Sequence, residues 1–252
     1  MPDKTAIHNG LTCVFTEADH SYRILETDDL LTSVTTLIKK FTPPFDAPAM
    51  ARQMVERQNP KYIGLTSEEI QAQWKAKGEL AAREGTMIHE LLERWPTSGP
   101  WGWHPKTYRV LMMGKQVAAL FPKLLSRFRI MAAEQIVFSA KFGLAGQVDL
   151  IMADDRTKEG IILDWKTNEK ITDETGAFGN LLPPVDHLKN CDVVKYGLQL
   201  GLYEKMLEEE GYYPEFQGYR KSIIHVQETL GKVVKVDNYG KEIECLLTSK
   251  QN

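Results

Sequence analysis

The chain has 252 residues, of which 42% are hydrophobic and 26% are charged, and its formal net charge is −3. This length fits one α/β domain, because two independent cores would each be small. No apolar run approaches the roughly 20 residues that a membrane-spanning helix needs, so we expect no membrane segment. The acidic net charge gives no sign of nucleic-acid binding, which normally shows as a basic excess, and only local charge can indicate it.

Targeting signals and a cysteine framework are both absent from the sequence pattern. Residues 1–10 show neither an export signal nor the Arg/Ser bias of a transit peptide. Cys13, Cys191 and Cys245 are scattered and odd in number, without C-x-x-C spacing. This pattern argues against a disulfide framework, a zinc site or an iron–sulfur site, and it predicts a cytoplasmic, reducing location.

The first part of the chain predicts a hairpin that leads into helices. Residues 11–25 are typical of two short strands around a polar turn, and Ser33 is placed to cap a helix that follows. Helical patterns then extend to a break near residues 59–60 and from 66 to about 94. A loop is predicted for 96–105 and a further helix for 106–129.

The second part predicts strands around one long helix. Residues 134–152 and 161–167 are rich in β-type residues and are joined by a polar turn, so we expect neighbouring strands. An irregular segment, 168–191, precedes an amphipathic helix that ends at Gly211, and two strand candidates follow from Tyr219.

These elements together predict an α/β fold with a mixed central β-sheet flanked by helices and a helical N-terminal elaboration. We expect a single domain over residues 1–252, with a helical insertion, basic and aromatic, at about 94–133.

Acidic and basic side chains stand at the ends of two predicted strands. Asp164 and Lys166 are two residues apart, so a strand places both on one face. Asp149 ends the run that we expect alongside. Two carboxylates and an amine at one sheet edge form a site for a hard cation, which phosphodiester cleavage can use. An isolated D-x-K tripeptide is more often an ordinary ion pair. The motif therefore indicates a catalytic site only together with other motifs in the chain.

Four further residues fall at helical spacing. His89 and Glu93 lie one turn apart on a predicted helix, as do Gln199 and Tyr203 on a later one. Taken singly, His89 is more often a core histidine, and the Gln/Tyr pair is more often a polar helix edge.

The ordered set of these motifs resembles a known family. It consists of G-x-x-x-H (Gly85/His89), G-x-x-D (Gly146/Asp149), D-x-K (Asp164/Lys166) and Q-x-x-x-Y (Gln199/Tyr203). This set resembles the RecB-type branch of the PD-(D/E)XK nuclease superfamily. The early Ser33-Val34-Thr35-Thr36 and the form Asp164-Trp165-Lys166-Thr167 are similar to the mitochondrial genome-maintenance exonuclease and its phage relatives.

The resemblance implies a restriction-endonuclease-like core and specific roles. His89, Asp149, Asp164 and the main-chain carbonyl of Trp165 would hold Mg²⁺ or Mn²⁺, and Asp149, Asp164 and Lys166 would be catalytic. Gln199 and Tyr203 would face the substrate. The chain lacks the four-cysteine set of relatives with an iron–sulfur cluster and carries no helicase motif. The segment 168–192 is longer than the usual connection, which leaves the selection of substrate ends open.

The function that follows is a metal-dependent DNA exonuclease acting on single-stranded ends in recombination, repair or genome processing. We expect it in the cytoplasm of a bacterium or a phage-infected host, with a recombination or replication protein as partner. An endonuclease on the same fold is one alternative, since the catalytic residues are shared. A nucleic-acid-binding protein without catalysis is another, and the intact Asp149, Asp164 and Lys166 argue against it.

A basic, aromatic stretch stands between the His89 and Asp149 motifs. Residues 94–133 contain no acidic residue and hold several basic and aromatic residues. Such interleaving is typical of a single-strand groove, in which cations follow phosphates and rings stack on bases. We therefore predict that Lys106, Arg109 and Lys115 bind DNA, with Lys195 on the later helix as another contact. The alternative is a solvated helix beside a packed tryptophan cluster.

Overall fold

The computed structural model describes residues 3–250, apart from the side chains of residues 96–98. The strands are β1 (Lys4–His8), β2 (Leu11–Thr16), β3 (Ser21–Ile24), β4 (Leu30–Ser33), β5 (Arg129–Ser139), β6 (Leu144–Asp154), β7 (Glu159–Lys166), β8 (Tyr219–Val226) and β9 (Gly231–Lys235). The helices are α1 (Val34–Lys40), α2 (Ala47–Glu56), α3 (Ser67–Ser98), α4 (Tyr108–Leu125), α5 (Asp192–Glu209) and α6 (Gly240–Lys250). In the described part of the chain, no helix combines the length and apolar character needed to cross a membrane.

The strands form one mixed sheet. Their order is β1-β2-β3-β4-β6-β7-β8-β9, and β5 also pairs with β6. The pairs β4/β6 and β7/β8 are parallel, whereas β6 runs antiparallel to β5 and β7. The predicted fold class, a mixed sheet flanked by helices, is confirmed.

The sheet forks along β6. The first half of β6 pairs with β4 at Leu144 and Ala145, and its second half pairs with β7 from Leu150 onwards. The carboxyl end of β7 therefore extends past its last ladder pair with β6. There the backbone N–H of Trp165 donates to Asp149 Oδ2 at 2.8 Å. A donor freed by the fork is thus satisfied by a side chain, as a buried backbone group requires.

Helices cover both faces of the sheet. On one face, α1, α5 and α6 pack over a core that includes Val148, Ile151 and Ile162. On the other face, α3 and α4 pack over Leu163 and Trp165. Side chains alternate along β7, with Ile162 in the first core and Leu163 and Trp165 in the second, so burial of both faces explains why this strand is apolar almost throughout.

Several element predictions need correction. The N-terminal elaboration is not purely helical, because it starts with four antiparallel strands, β1–β4. Helix α3 continues to Ser98, and Gly99, with a φ of +60°, ends it. The loop before α4 is therefore shorter than the predicted loop, 96–105. The range 94–133 contains the loop before α4 and the start of β5 as well as helix. Helix α6 was not predicted.

Helix α5 is not amphipathic as predicted. Ten of its residues, including Gln199 and Tyr203, are buried. The cause is α6, which covers the side turned away from the sheet. A Cβ on Gly201 would lie 2.3 Å from Ile243 Cδ1, so the small residue permits this close packing.

Candidate active site

A cleft of about 520 Å³ opens where β6 and β7 diverge. The sequence-predicted residues that line it are His89, Gly146, Asp149, Asp164, Lys166, Gln199 and Tyr203. They come from α3, β6, β7 and α5, so the tertiary fold brings together motifs that are up to 114 residues apart, from 89 to 203.

Asp164 and Lys166 share one face of β7, as the two-residue period predicts. Lys166 Nζ lies 2.6 Å from Asp164 Oδ2, and Gln199 Nε2 donates to Asp164 Oδ1 at 3.0 Å. The amine also lies 4.6 Å from the centroid of the Tyr196 ring. Burial acts to lower the pKa of Lys166, but the charges of Asp164 and Asp149, together with the hydrogen bond to Asp164, outweigh burial and raise the pKa. Lys166 is therefore a cation in this site.

Asp149 is the carboxylate at the fork. Burial, reinforced by the charge of Asp164, raises the pKa of Asp149, and His89 acts in the opposite direction. Two carboxylates that disfavour each other's ionised form are stabilised by a bound cation.

Gly146 of the G-x-x-D motif has a packing role. A Cβ at this position would lie 2.6 Å from Tyr203 Cε1. Gly146 therefore lets the Tyr203 ring lie directly on the strand, while Gln199 Nε2 is 3.3 Å from the Tyr203 hydroxyl oxygen. This contact links the G-x-x-D motif of β6 to the Q-x-x-x-Y motif of α5.

Glu134 is a site residue that the sequence analysis missed. It lies on β5 opposite Asp149, between the ladder pairs Ala133↔Leu150 and Gln135↔Val148. Its φ is +50°, a left-handed conformation that is uncommon for a residue other than glycine. Such backbone strain concentrates at functional sites. The sequence does contain a signal for this residue. Glu134 is the first acidic residue after the 40 residues from 94 to 133, which contain no acidic residue.

His89, Glu134 and Asp149 form a group suited to a metal ion. One ligand atom of each lies within 4.8 Å of the others. His89 Nδ1 is 3.7 Å from Glu134 Oε1 and 3.8 Å from Asp149 Oδ2. Burial acts to lower the pKa of His89, but the carboxylates of Glu134 and Asp149 outweigh it and raise the pKa to about 9.

The donor atoms of this group fit a divalent cation. Glu134 Oε1 is buried without a hydrogen-bond partner, an arrangement that is costly for a carboxylate unless a ligand uses the atom. Carboxylate oxygens suit Mg²⁺, and an added imidazole is compatible with Mn²⁺. Asp164 lies beside this group but is held by Lys166 and Gln199.

Trp165 lies between two site residues on β7, and its side chain belongs to the hydrophobic core. Its ring is buried and stacks on Phe121 at 5.7 Å between centroids, which anchors the segment between Asp164 and Lys166.

The basic, aromatic stretch does not reach the cleft. None of Lys106, Arg109 and Lys115 lines it. Arg109 Nη1 donates to Glu84 Oε2 at 2.8 Å, and its Nη2 donates to the Thr167 carbonyl at 2.9 Å. Lys106 and Lys115 are exposed.

The aromatic residues of this stretch divide into two kinds. Trp95 stacks on Phe121, and Trp103 donates to the Met87 carbonyl, so both rings belong to the packing. Trp101 and Tyr108 are exposed. Lys195 lines a separate groove.

A forked mixed sheet that gathers acidic groups, a histidine and a lysine in one cleft is the arrangement of a metal-dependent nuclease. The family model of the PD-(D/E)XK nuclease superfamily matches residues 103–243. This range is more than half of the chain and includes Glu134, Asp149, Asp164, Lys166 and Gln199. The chain therefore belongs to the PD-(D/E)XK nuclease superfamily, and a nucleic acid is its substrate. Among curated proteins, none matches the chain.

Proposed function

We propose that this protein is a Mg²⁺- or Mn²⁺-dependent deoxyribonuclease that removes nucleotides from DNA with a single-stranded end. The observation that carries the proposal is the convergence of Asp149, Asp164 and Lys166 at the sheet fork, in a chain of the nuclease superfamily. The resemblance to the RecB-type branch supports an exonuclease. It also supports a role in recombination, repair or genome processing, in a bacterium or a phage-infected cell, with a recombination or replication protein as partner.

The cleft has an acidic lining that comes from a hairpin and a helix. The turn between β2 and β3 contributes Glu17, Asp19 and His20 to one side, and α3 contributes Glu90 and Glu93 to the lining. The acidic lining repels phosphate, so DNA entry into the cleft depends on a bound cation.

Each residue has a proposed role. Asp149, Asp164, His89 and the Trp165 carbonyl hold the metal, and we add Glu134 to this set. A divalent cation bound there would neutralise charge on the scissile phosphate and lower the pKa of a bound water. Lys166 orients the attacking water or stabilises the phosphate in the transition state. Gln199 positions Asp164 through its hydrogen bond and, with Tyr203, faces the substrate.

Linear and circular single-stranded DNA should respond differently to this protein. With Mg²⁺, end-labelled linear DNA is expected to be degraded and closed circular DNA to stay intact, because an exonuclease needs a free end. Gel electrophoresis of both substrates in one time course measures this. Opening of the circle would establish an endonuclease on the same fold, and cleavage of neither would leave a binding protein.

Glu134→Gln should weaken binding of the metal. The substitution keeps size and an oxygen acceptor but removes a charge from the group with His89 and Asp149, so we expect Mn²⁺ to bind about 10- to 100-fold more weakly. Isothermal titration of the DNA-free protein with Mn²⁺ measures the change. Glu90→Gln is the matched control, because Glu90 lines the same cleft but lies outside the group formed by His89, Glu134 and Asp149. Equal Mn²⁺ affinities in the two variants would remove Glu134 from the ligand set.

A further inference from the structure

A second groove lies at the other ends of two helices that line the cleft. Thr35 and Thr36, near the start of α1, line the cleft, whereas Thr42, directly after α1, lines the groove. On α5, Gln199 lines the cleft and Lys195 lines the groove. Four residues of helix separate these two, a rise of about 6 Å. The cleft and the groove are therefore separate depressions that lie along the same two helices, α1 and α5.

Two exposed aromatic side chains line this groove. Phe45 is 66% exposed and Phe178 is 69% exposed. The ring of Phe45 and the backbone of Phe178 each have a contact within the protein. The Phe45 ring lies 5.8 Å from the Trp74 ring, and the Phe178 backbone N–H donates to the Asn190 carbonyl at 3.1 Å. Exposed rings on ordered backbone are suited to stacking on a planar ligand, because little conformational entropy is lost on binding.

One cationic side chain of the groove can contact a phosphate, beside two acidic residues that also line the groove. Lys195 is the cationic residue among the described residues that line it, and its side chain is 30% exposed. The two acidic residues of the lining have hydrogen bonds within the protein. Asp46 Oδ1 accepts from the Ala49 N–H at 2.8 Å as the cap of α2. Asp192 Oδ2 accepts the N–H and hydroxyl of Thr172 at 2.9 and 2.8 Å, while its Oδ1 lies 3.7 Å from Lys195 Nζ.

The groove has the volume of a ligand site. It measures about 530 Å³, within the range of about 300–1,000 Å³ that is usual for small-molecule sites. A nucleotide of a DNA strand, with a planar base linked through its sugar to a phosphate, is small enough to enter this volume.

We propose that this groove stacks an unpaired base of single-stranded DNA on Phe45 and Phe178, while Lys195 contacts the phosphate on the side of the cleft. The inference rests on the proposed function, since it places the strand whose end lies at Asp164. A hydrophobic peptide is the other occupant that the groove could take. The cation and the position of the groove along α5 favour DNA.

The test compares two double variants in an Asp164→Asn background, in which the DNA stays uncut. Phe45→Ala/Phe178→Ala removes the rings of the groove. Trp101→Ala/Tyr108→Ala removes two exposed aromatic rings outside the groove and is the matched control. Binding of a labelled oligothymidylate of about ten nucleotides is measured by fluorescence anisotropy for both, with thermal midpoints to verify folding.

The groove variant is expected to bind the oligonucleotide about 5- to 100-fold more weakly than its parent, as the loss of one stacked base implies. The control should bind like the parent. Unchanged affinity in the groove variant overturns the proposal and makes a peptide the occupant to test, and a loss confined to the control moves the strand to α4. Wild-type cleavage of the same oligonucleotide with Mg²⁺ tests the proposed function separately.

Discussion

Asp164→Asn and Lys166→Ala should each reduce DNA cleavage by about 1,000-fold or more while leaving DNA binding measurable. The first substitution removes the charge of a proposed metal ligand, and the second removes the amine that lies 2.6 Å from that carboxylate. Each substitution removes several kcal/mol of charge stabilisation from the transition state. Because about 1.4 kcal/mol changes the rate tenfold, such a loss corresponds to the expected decrease in cleavage rate. The asparagine side chain would retain an acceptor for the hydrogen bond from Gln199, so the fold around the site should persist.

Single-turnover cleavage of end-labelled DNA measures this prediction, with anisotropy for binding. Asp155→Asn and Lys170→Ala are matched controls, because both residues are exposed and lie outside the cleft lining. Addition of a chelator should abolish wild-type cleavage, and Mg²⁺ or Mn²⁺ should restore it. Turnover near the wild-type rate in either site variant would show that the catalytic centre lies elsewhere.

Arg109→Ala should destabilise the protein rather than only weaken DNA binding. Its guanidinium pairs with Glu84, which is 5% exposed, and donates to the Thr167 carbonyl directly after Lys166. Breaking a buried ion pair leaves a charge without its partner. Because the Arg109 side chain is 26% exposed, solvent screening reduces the usual cost, and we expect a loss of about 2–3 kcal/mol. The thermal midpoint should fall by about 5–10 °C.

Differential scanning calorimetry of three proteins tests this expectation. Lys106→Ala/Lys115→Ala is the control, because both lysines are exposed and their removal should leave the midpoint unchanged. Restoring the midpoint by combining Arg109→Met with Glu84→Gln would show that the unpaired charge caused the loss. An Arg109→Ala protein as stable as wild type would mean that the pair contributes nothing. In that case Arg109 would have no structural role that competes with the prediction, made from the sequence, that it contacts DNA.

The sequence by itself determined the elements that carry the site and their order. Residue types fix local structure wherever a period or a cap is strong. Asp164 and Lys166 share a face because a strand has a period of two, and Ser33 caps α1 by accepting from the Thr36 N–H at 3.1 Å. The neighbouring positions of β6 and β7 followed from the short polar turn between them. These are local relations, which the chain specifies without distant contacts.

Only the tertiary structure decided which groups meet. Glu134 enters the site because β5 takes a positive φ opposite Asp149, and Arg109 leaves the proposed DNA path because Glu84 of α3 pairs with it. Gly146 leaves space for the ring of Tyr203, which lies 57 residues away in sequence, from 146 to 203. Local propensity cannot encode such contacts, because each depends on how the sheet forks and on which helix covers which face. For the same reason, the DNA path that we propose depends on the packing of α1 and α5 and not on the charge of any single segment.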